Sequence, residues 1–220
     1  MSMAGPNIVL NTIVADAIAD VCDRLEGDIK AGKDFKESLQ KLLQETVKKH
    51  KRVIYNGDNY TPEWHAEAKR RGLPNMKNTP DALKVMKEEK AFKLFERHGV
   101  LSRRELMSRN EVYKHSYETI RQVEAVCSVT LAKTVILPAV ISYQKDLAET
   151  IKTVESVAKS NKTASSKALL KEICQETDKA MVALEKLEKA TDGHDGLKKL
   201  EAMEALRTHI DTLEGLVPKA

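Results

Sequence analysis

The sequence predicts an all-α protein, and three observations support that fold class. Only 4% of the 220 residues are aromatic, and the chain has nine glycines and six prolines. Strands favour aromatic and β-branched residues, so this composition disfavours a sandwich or barrel. Hydrophobic residues make up 41% of the chain and recur every three to four positions, as in amphipathic helices. We expect N-terminal helices and loops over residues 4–101, then a long helix and an antiparallel three-helix bundle over residues 102–217.

The first helix is predicted from Pro6 to about Gly27, because proline is favoured in the first helical turn. One apolar stripe runs along it, formed by Leu10, Ile13, Val14, Ala17, Ile18, Val21 and Leu25. A second helix is predicted to begin at Asp34, which has capping-box spacing to Glu37. Its apolar face is formed by Phe35, Leu39, Leu42, Leu43, Val47, Val53 and Ile54.

Residues 56–99 are predicted to form short helices joined by loops. Thr61-Pro62 and Thr79-Pro80 each combine an N-cap residue with a proline suited to the first helical position. Gly72 and Gly99 are expected to end helices in a left-handed conformation.

A long helix is predicted to begin at Ser102, which forms a second capping box with Glu105. The helical pattern then continues to about Lys159 with Pro138 as its one breaker. Fifty-odd residues at about 1.5 Å each would span roughly 80 Å, so we expect a kink near Pro138 or a protruding arm.

The C-terminal region is predicted to be an up-down-up bundle, because short polar turns favour antiparallel neighbours. Its helices are expected at Tyr143–Lys159, Ser166–Ala190 and Leu197–Leu216. The first turn is predicted at residues 160–166, and the second is a Gly-rich loop at residues 191–196.

Charge is unevenly placed along the chain. Residues 48–104 carry fifteen lysines and arginines against seven aspartates and glutamates, although the whole chain has a net charge of only +4. Such a segment can meet phosphates or an acidic partner, but a solvated helix surface is the simpler interpretation. We therefore do not expect nucleic acid to be the main partner.

The sequence also sets expectations about compartment. We find no signal peptide and no apolar run near the roughly 20 residues of a membrane span, so we expect a cytoplasmic protein with no membrane partner. The three cysteines lie near apolar helix positions and are expected to be buried, reduced and unreactive.

No catalytic, cofactor-binding or metal-binding residues are predicted from the residues themselves. The histidines form no His-x-x-x-His pair, and there is no nucleophile elbow or Walker loop. Asp192, His194 and Asp195 lie on one turn, but a structural or solvent role is favoured for them over metal binding. Trp64 with Tyr55 and Tyr60 suggests either a stacking platform or, as we favour, aromatics that fix a loop onto a helix pair.

Several segments resemble type III glutamine synthetases, in the same order along the chain. They are residues 4–15, 54–60, Glu63-Trp64, 71–75, 95–102 and 136–140, which read AGPNIVLNTIVA, IYNGDNY, EW, RGLPN, FERHGVLS and ILPAV. The resemblance extends from about Ala4 to Val217 and weakens after Thr150.

This resemblance implies a parent enzyme that makes glutamine from glutamate, ammonia and ATP, with Mg or Mn, through a γ-glutamyl phosphate. Such enzymes assemble into double-ring homo-oligomers. The resemblance matches the C-terminal helical part only. The family's β-grasp domain, catalytic strands and aromatic, Pro-rich tail have no counterpart here, so no catalytic or cofactor residue can be carried over. Residues 1–3 are interpreted as an added start, and the chain is expected to be truncated at both ends.

Three functional hypotheses follow. The first is a structural and oligomerisation part of a type III glutamine synthetase, inactive alone, whose partners are the rest of the synthetase chain and sister subunits. It expects the apolar stripe of the first helix to be partly exposed, because that stripe would pack under the catalytic sheet of the parent. The second is a freestanding helical adaptor or scaffold, and the third is nucleic-acid binding through residues 48–104.

Overall fold

The computed structural model describes residues 3–158 and 163–218, and every regular element in these ranges is helical. They are α1 (Ala4–Lys30), α2 (Phe35–His50), α3 (Pro62–Arg70), α4 (Thr79–Leu83), α5 (Glu89–Arg97), α6 (Arg103–Leu131), α7 (Leu137–Ala158), α8 (Ala164–Thr191) and α9 (Gly196–Leu216). Short 3₁₀ turns lie at Lys51–Val53 and Lys84–Lys87, and a π-helical segment lies at Ala132–Ile136. The predicted all-α class is confirmed.

The chain divides into two compact units, Met1–Lys114 and His115–Ala220. The division into residues 4–101 and 102–217 remains a prediction, since compactness alone does not define an independently folding domain.

Two predicted helix boundaries in the first unit differ from the structure. α1 continues through Gly27 and ends before Gly32, which has φ 78° and so adopts the left-handed conformation that only glycine reaches without strain. α4 is capped by Asn78 and not by Thr79, because the Asn78 side chain accepts a hydrogen bond from the Asp81 N–H at 2.9 Å.

The other predicted caps are present. Asp34 accepts from the Glu37 N–H at 3.0 Å, and Thr61 accepts from the Trp64 N–H. Ser102 and Glu105 form the reciprocal capping box: the Glu105 carboxylate accepts from the Ser102 N–H, and the Ser102 hydroxyl accepts from the Glu105 N–H.

The core of the first unit is a small cluster of buried residues from α5, α6 and the loop between them. It consists of Phe92, Phe95, Leu101 and Leu106, and Ile8 and Val9 of α1 pack against it. α1 is therefore attached to the core near its N-terminal end.

The core of the second unit is the predicted bundle. Buried residues of α6 to α9 form it, including Ile173, Leu187, Leu206 and Leu213. Helices α7, α8 and α9 supply the bundle, in agreement with the prediction. The predicted first turn lies partly outside the described residues, as do Lys159 and the predicted start at Met1-Ser2.

The π-helical segment accommodates the proline in the long helix. Pro138 has no N–H, and its ring would clash with the carbonyl of Thr134 in a regular α-helix. Residues Ala132–Ile136 instead adopt the wider π-helical turn immediately before α7.

Candidate functional site: the outward face of α1

The apolar stripe of α1 points away from its own unit. Five of its residues are exposed, namely Leu10, Ile13, Val14, Ile18 and Val21, with 59% of Leu10 and 57% of Ile18 accessible. We call these five residues the α1 face. In a 27-residue helix, only Thr12 is buried. The expected partial exposure of this stripe is confirmed.

The inward side of α1 carries Ile8 and Val9, which pack on the core, together with Thr12 and Asp16. Thr12 is buried, and its hydroxyl donates a 2.7 Å hydrogen bond to the Ile8 carbonyl, so its polar group is satisfied within the helix. Thr12 and Asp16 lie on the side opposite the α1 face, because they are two and six residues after Leu10 in a 3.6-residue repeat. The orientation is thus the reverse of that of an ordinary surface helix.

An ionic cluster links α1 to the end of α5. The Arg97 guanidinium donates to Asp16 at 3.0 Å and to Asp20 at 2.8 Å, and it lies 3.5 Å from Asp23. The His98 Nε2 lies 2.8 Å from the same Asp16 carboxylate. The hydrogen bond to Asp20 and the charges of the neighbouring carboxylates raise the pKa of Arg97. Asp16 lies on the inward side of α1 with 28% of its side chain accessible, whereas Asp20 and Asp23 are 63% and 74% accessible, so Arg97 compensates three carboxylates at the solvent-exposed edge of the contact between α1 and α5.

The neighbouring helix α2 also carries exposed apolar residues. Phe35, Leu43 and Val47 of α2 are exposed, and Arg24 of α1 forms an ion pair with Glu45 of α2. Large contiguous apolar surface is uncommon on a monomeric protein and is typical of interaction sites.

The free energy available from this surface is substantial. Each residue of the α1 face is roughly half exposed, so covering all five would contribute about 4–7 kcal/mol by apolar area. Ordering and association costs reduce this amount, but a surface of this composition can anchor a partner. The chemistry of the α1 face is therefore that of an apolar docking surface.

A second exposed apolar stretch lies in the long helical region. By length and composition, the helical region Arg103–Ala158 could cross a membrane. In its most apolar stretch of 18 residues, 22% is buried. Residues 125–142 contain a single charged residue, Lys133. The expectation that no apolar run approaches membrane-span length was therefore wrong, although core helices of soluble proteins pass the same test.

The aromatic residues after α2 form a brace. The Tyr55 and Trp64 rings stack with centroids 4.3 Å apart, and the Arg71 guanidinium lies 5.9 and 5.6 Å from the two ring centroids. Arg71 also donates to the carbonyls of Arg52 and Ile54, at 3.2 and 2.8 Å. The interpretation that aromatics fix this loop onto the helices is supported for Tyr55 and Trp64, whereas Tyr60 is 92% exposed.

The remaining chemical groups give one correction. Cys22, Cys127 and Cys174 are all exposed free thiols, so the expected burial is wrong. Each cysteine lies beside an apolar position in sequence, but adjacent residues of a helix are about 100° apart and face different directions.

The Gly-rich loop before α9 has a capping role. The Asp195 carboxylate accepts hydrogen bonds from the Leu197 and Lys198 N–H groups, at 3.0 and 3.2 Å. Within the described ranges, no three His, Cys, Asp or Glu residues are placed to hold a metal ion.

Comparison with known proteins gives a consistent set of relatives. Residues 38–155 match the family model of the glutamine synthetase C-terminal domain. A type-3 glutamine synthetase from Dictyostelium discoideum is 36% identical over 160 residues, which cover 73% of this chain and 22% of the relative. A glutamine synthetase from Butyrivibrio fibrisolvens is 30% identical over 203 residues, covering 86% of this chain and 29% of the relative.

A third relative includes α1 in its match. A glutamine synthetase from Bacteroides fragilis is 26% identical over 227 residues, covering 96% of this chain and 31% of the relative. The chain thus spans less than a third of the length of these curated relatives.

Proposed function

Because this chain belongs to the glutamine synthetase family and corresponds to its C-terminal part, we propose that it is a structural support that docks onto the rest of a synthetase. The resemblance to type III enzymes noted in the sequence is confirmed by the family match and the type-3 relative. The activity of the assembled enzyme would be the ATP-dependent joining of glutamate and ammonia, with Mg or Mn as the metal. These substrates and cofactors come from the family and not from residues of this chain.

The observation that carries the proposal is the inverted α1. The family model begins at residue 38, so α1 precedes the matched C-terminal domain while still being included in the match to the Bacteroides fragilis relative. A helix in that position with its apolar stripe outward, and with Thr12 and Asp16 on its inward side, is arranged to be covered by further protein. The remaining two thirds or more of a synthetase supplies that protein, and sister subunits of a homo-oligomer are proposed as additional partners. We place the assembly in the cytoplasm, without a membrane.

A reconstitution experiment tests the proposal. The Bacteroides fragilis synthetase, whose match covers 96% of this chain and includes α1, is expressed without the region that matches this chain, and glutamine formation is measured with and without the added chain. We expect no turnover by either piece alone and measurable turnover by the mixture. The relative's own matching region, added back in trans, is the positive control.

Two results would contradict the proposal. One is glutamine formation by the chain alone, since we assign it no catalytic group. The other is successful reconstitution by the relative's own region combined with no binding at all by this chain, which would favour an independent adaptor.

A further inference from the structure

A polar concavity lies on the surface of the first unit, beside α3. It is an open depression of about 930 Å³ between α3 and the loops on either side of it. Its walls include Tyr60, His65, Lys69, Asn75 and Lys77. None of the residues lining it is a carboxylate, which leaves the concavity with a positive charge.

The polar groups of these walls are not used by the rest of the described protein. Lys69 and Lys77 form no ion pair with any described residue, and the side chains of His65 and Asn75 have no hydrogen-bond partner among those residues. Two ammonium groups, an imidazole and an amide therefore border one open space with their hydrogen-bonding capacity free.

The nearby carboxylates are occupied elsewhere. The Glu67 carboxylate accepts hydrogen bonds from Arg70 at 2.6 and 2.7 Å and from Arg71 at 2.5 Å, which lower the pKa of Glu67 to about 2. The pKa of Glu63 is lowered by hydrogen bonds from its own backbone N–H and from Thr61. Glu67 is thus neutralised by two arginines, and Glu63 is not among the residues that line the concavity.

The walls are held in place by contacts outside the concavity. The Tyr55–Trp64–Arg71 brace fixes the preceding loop to α3, and Asp58 accepts a 2.8 Å hydrogen bond from the Tyr60 N–H. On the other side, Gly72 has a positive φ of 69° and redirects the chain into the irregular segment that carries Asn75 and Lys77. The concavity is therefore largely preformed.

Helix electrostatics explain only part of this arrangement. Lys69 lies in the last turn of α3, where a cation is favourable beside the negative end of the helix dipole. Lys77 belongs to no helix, and it still faces the same space.

We propose that this concavity binds the phosphate groups of a small molecule, with Lys69 and Lys77 as the charged donors and His65 and Asn75 as further polar contacts. The exposed ring of Tyr60 offers a flat surface on which a base can stack, so a nucleotide and a free polyphosphate are the two sources of this chemistry. The site lies on a different part of the unit from the α1 face, and it does not depend on the docking role proposed above.

Isothermal titration calorimetry tests the proposal with the full chain and two probes, inorganic tripolyphosphate and adenosine triphosphate, at about 0.15 M salt without divalent metal. The test variant is Lys69→Gln/Lys77→Gln. The matched control is Lys36→Gln/Lys49→Gln, which removes the same charge from exposed α2 positions that form no ion pair with a described residue. Melting of each variant by circular dichroism verifies that it is folded.

We expect binding of tripolyphosphate that weakens at least about tenfold in the test variant and less than about twofold in the control, because charge-assisted hydrogen bonds are lost in only one of them. Tyr60→Ala then distinguishes the two sources. If the variant loses affinity for adenosine triphosphate but not for tripolyphosphate, the concavity is a nucleotide site. If its affinity for both probes equals that of the wild type, the concavity is a phosphate site. No detectable binding of either probe would overturn the proposal. Equal weakening in the two lysine variants would also overturn it, since that result indicates only a general charge effect.

Discussion

Replacing Ile18 by serine should leave the stability of the isolated chain almost unchanged. Ile18 is 57% exposed, so less than half of its apolar surface is removed from water within the unit. Fully burying an isoleucine is worth about 1.5–3 kcal/mol, and the loss should therefore be only about 0.6–1.3 kcal/mol.

Phe95→Ala is the matched comparison in the same unit. Phe95 is 3% exposed and lies in the cluster with Phe92, Leu101 and Leu106. Removing a buried phenylalanine typically costs about 3–5 kcal/mol, through lost transfer free energy and the remaining cavity. The two variants should thus differ by about 2 kcal/mol or more.

Equilibrium unfolding in urea measures both values. The single tryptophan, Trp64, lies in the first unit, so its fluorescence follows that unit, while circular dichroism at 222 nm follows both. Two separate transitions would require separate fits. If Ile18→Ser cost as much as Phe95→Ala, the stripe of α1 would be buried within the isolated chain, and the docking argument would fail.

Three further results are expected. Gly196→Ala should destabilise the second unit by about 1–3 kcal/mol in denaturant unfolding, because the new Cβ would lie 2.8 Å from atoms of Glu118 and Tyr117. Gly215→Ala in the same helix is the matched control. Its Cβ meets nothing within 4 Å, so it should stabilise the unit by about 0.5–1 kcal/mol. The pKa of the Glu67 carboxyl should be about 2 by ¹³C NMR titration, so its contribution to stability is present above about pH 4.5 and is lost as pH falls towards 2. All three cysteines should react with a thiol reagent such as dithionitrobenzoate in the native chain without denaturant.

Much of the fold could be predicted from the sequence because its local signals are strong. Each helix cap joins two residues that are three positions apart, so no tertiary information is needed to place it. These pairs are Ser102 with Glu105, Asp34 with Glu37, and Thr61 with Trp64. The end of α1 was harder to place, since Gly27 and Gly32 are both possible stops and only the structure shows which one takes positive φ.

The sites depend on contacts between distant residues, which local patterns do not encode. Periodicity located the stripe of α1, but its outward direction depends on contacts between distant residues, such as the packing of Ile8 on the core and the ion pair of Asp16 with Arg97, which is 81 residues away. Burial of the cysteines was predicted from neighbouring apolar residues, and it failed because position along a helix does not give direction. The cationic concavity likewise joins Lys69 to the loop containing Lys77, and the sequence showed only a basic segment.

The most direct test of the docking claim is the affinity of the chain for the Bacteroides fragilis synthetase that lacks the matching region, because that match includes α1. Wild type is compared with Ile18→Lys and with Ala15→Lys, an exposed α1 position outside the α1 face, by sedimentation or calorimetry. We expect Ile18→Lys to weaken binding at least about tenfold and Ala15→Lys to weaken it less than about twofold, since only the former buries a charge against apolar surface. Equal affinity of wild type and Ile18→Lys would contradict the claim that the outward face of α1 is where the rest of a synthetase docks.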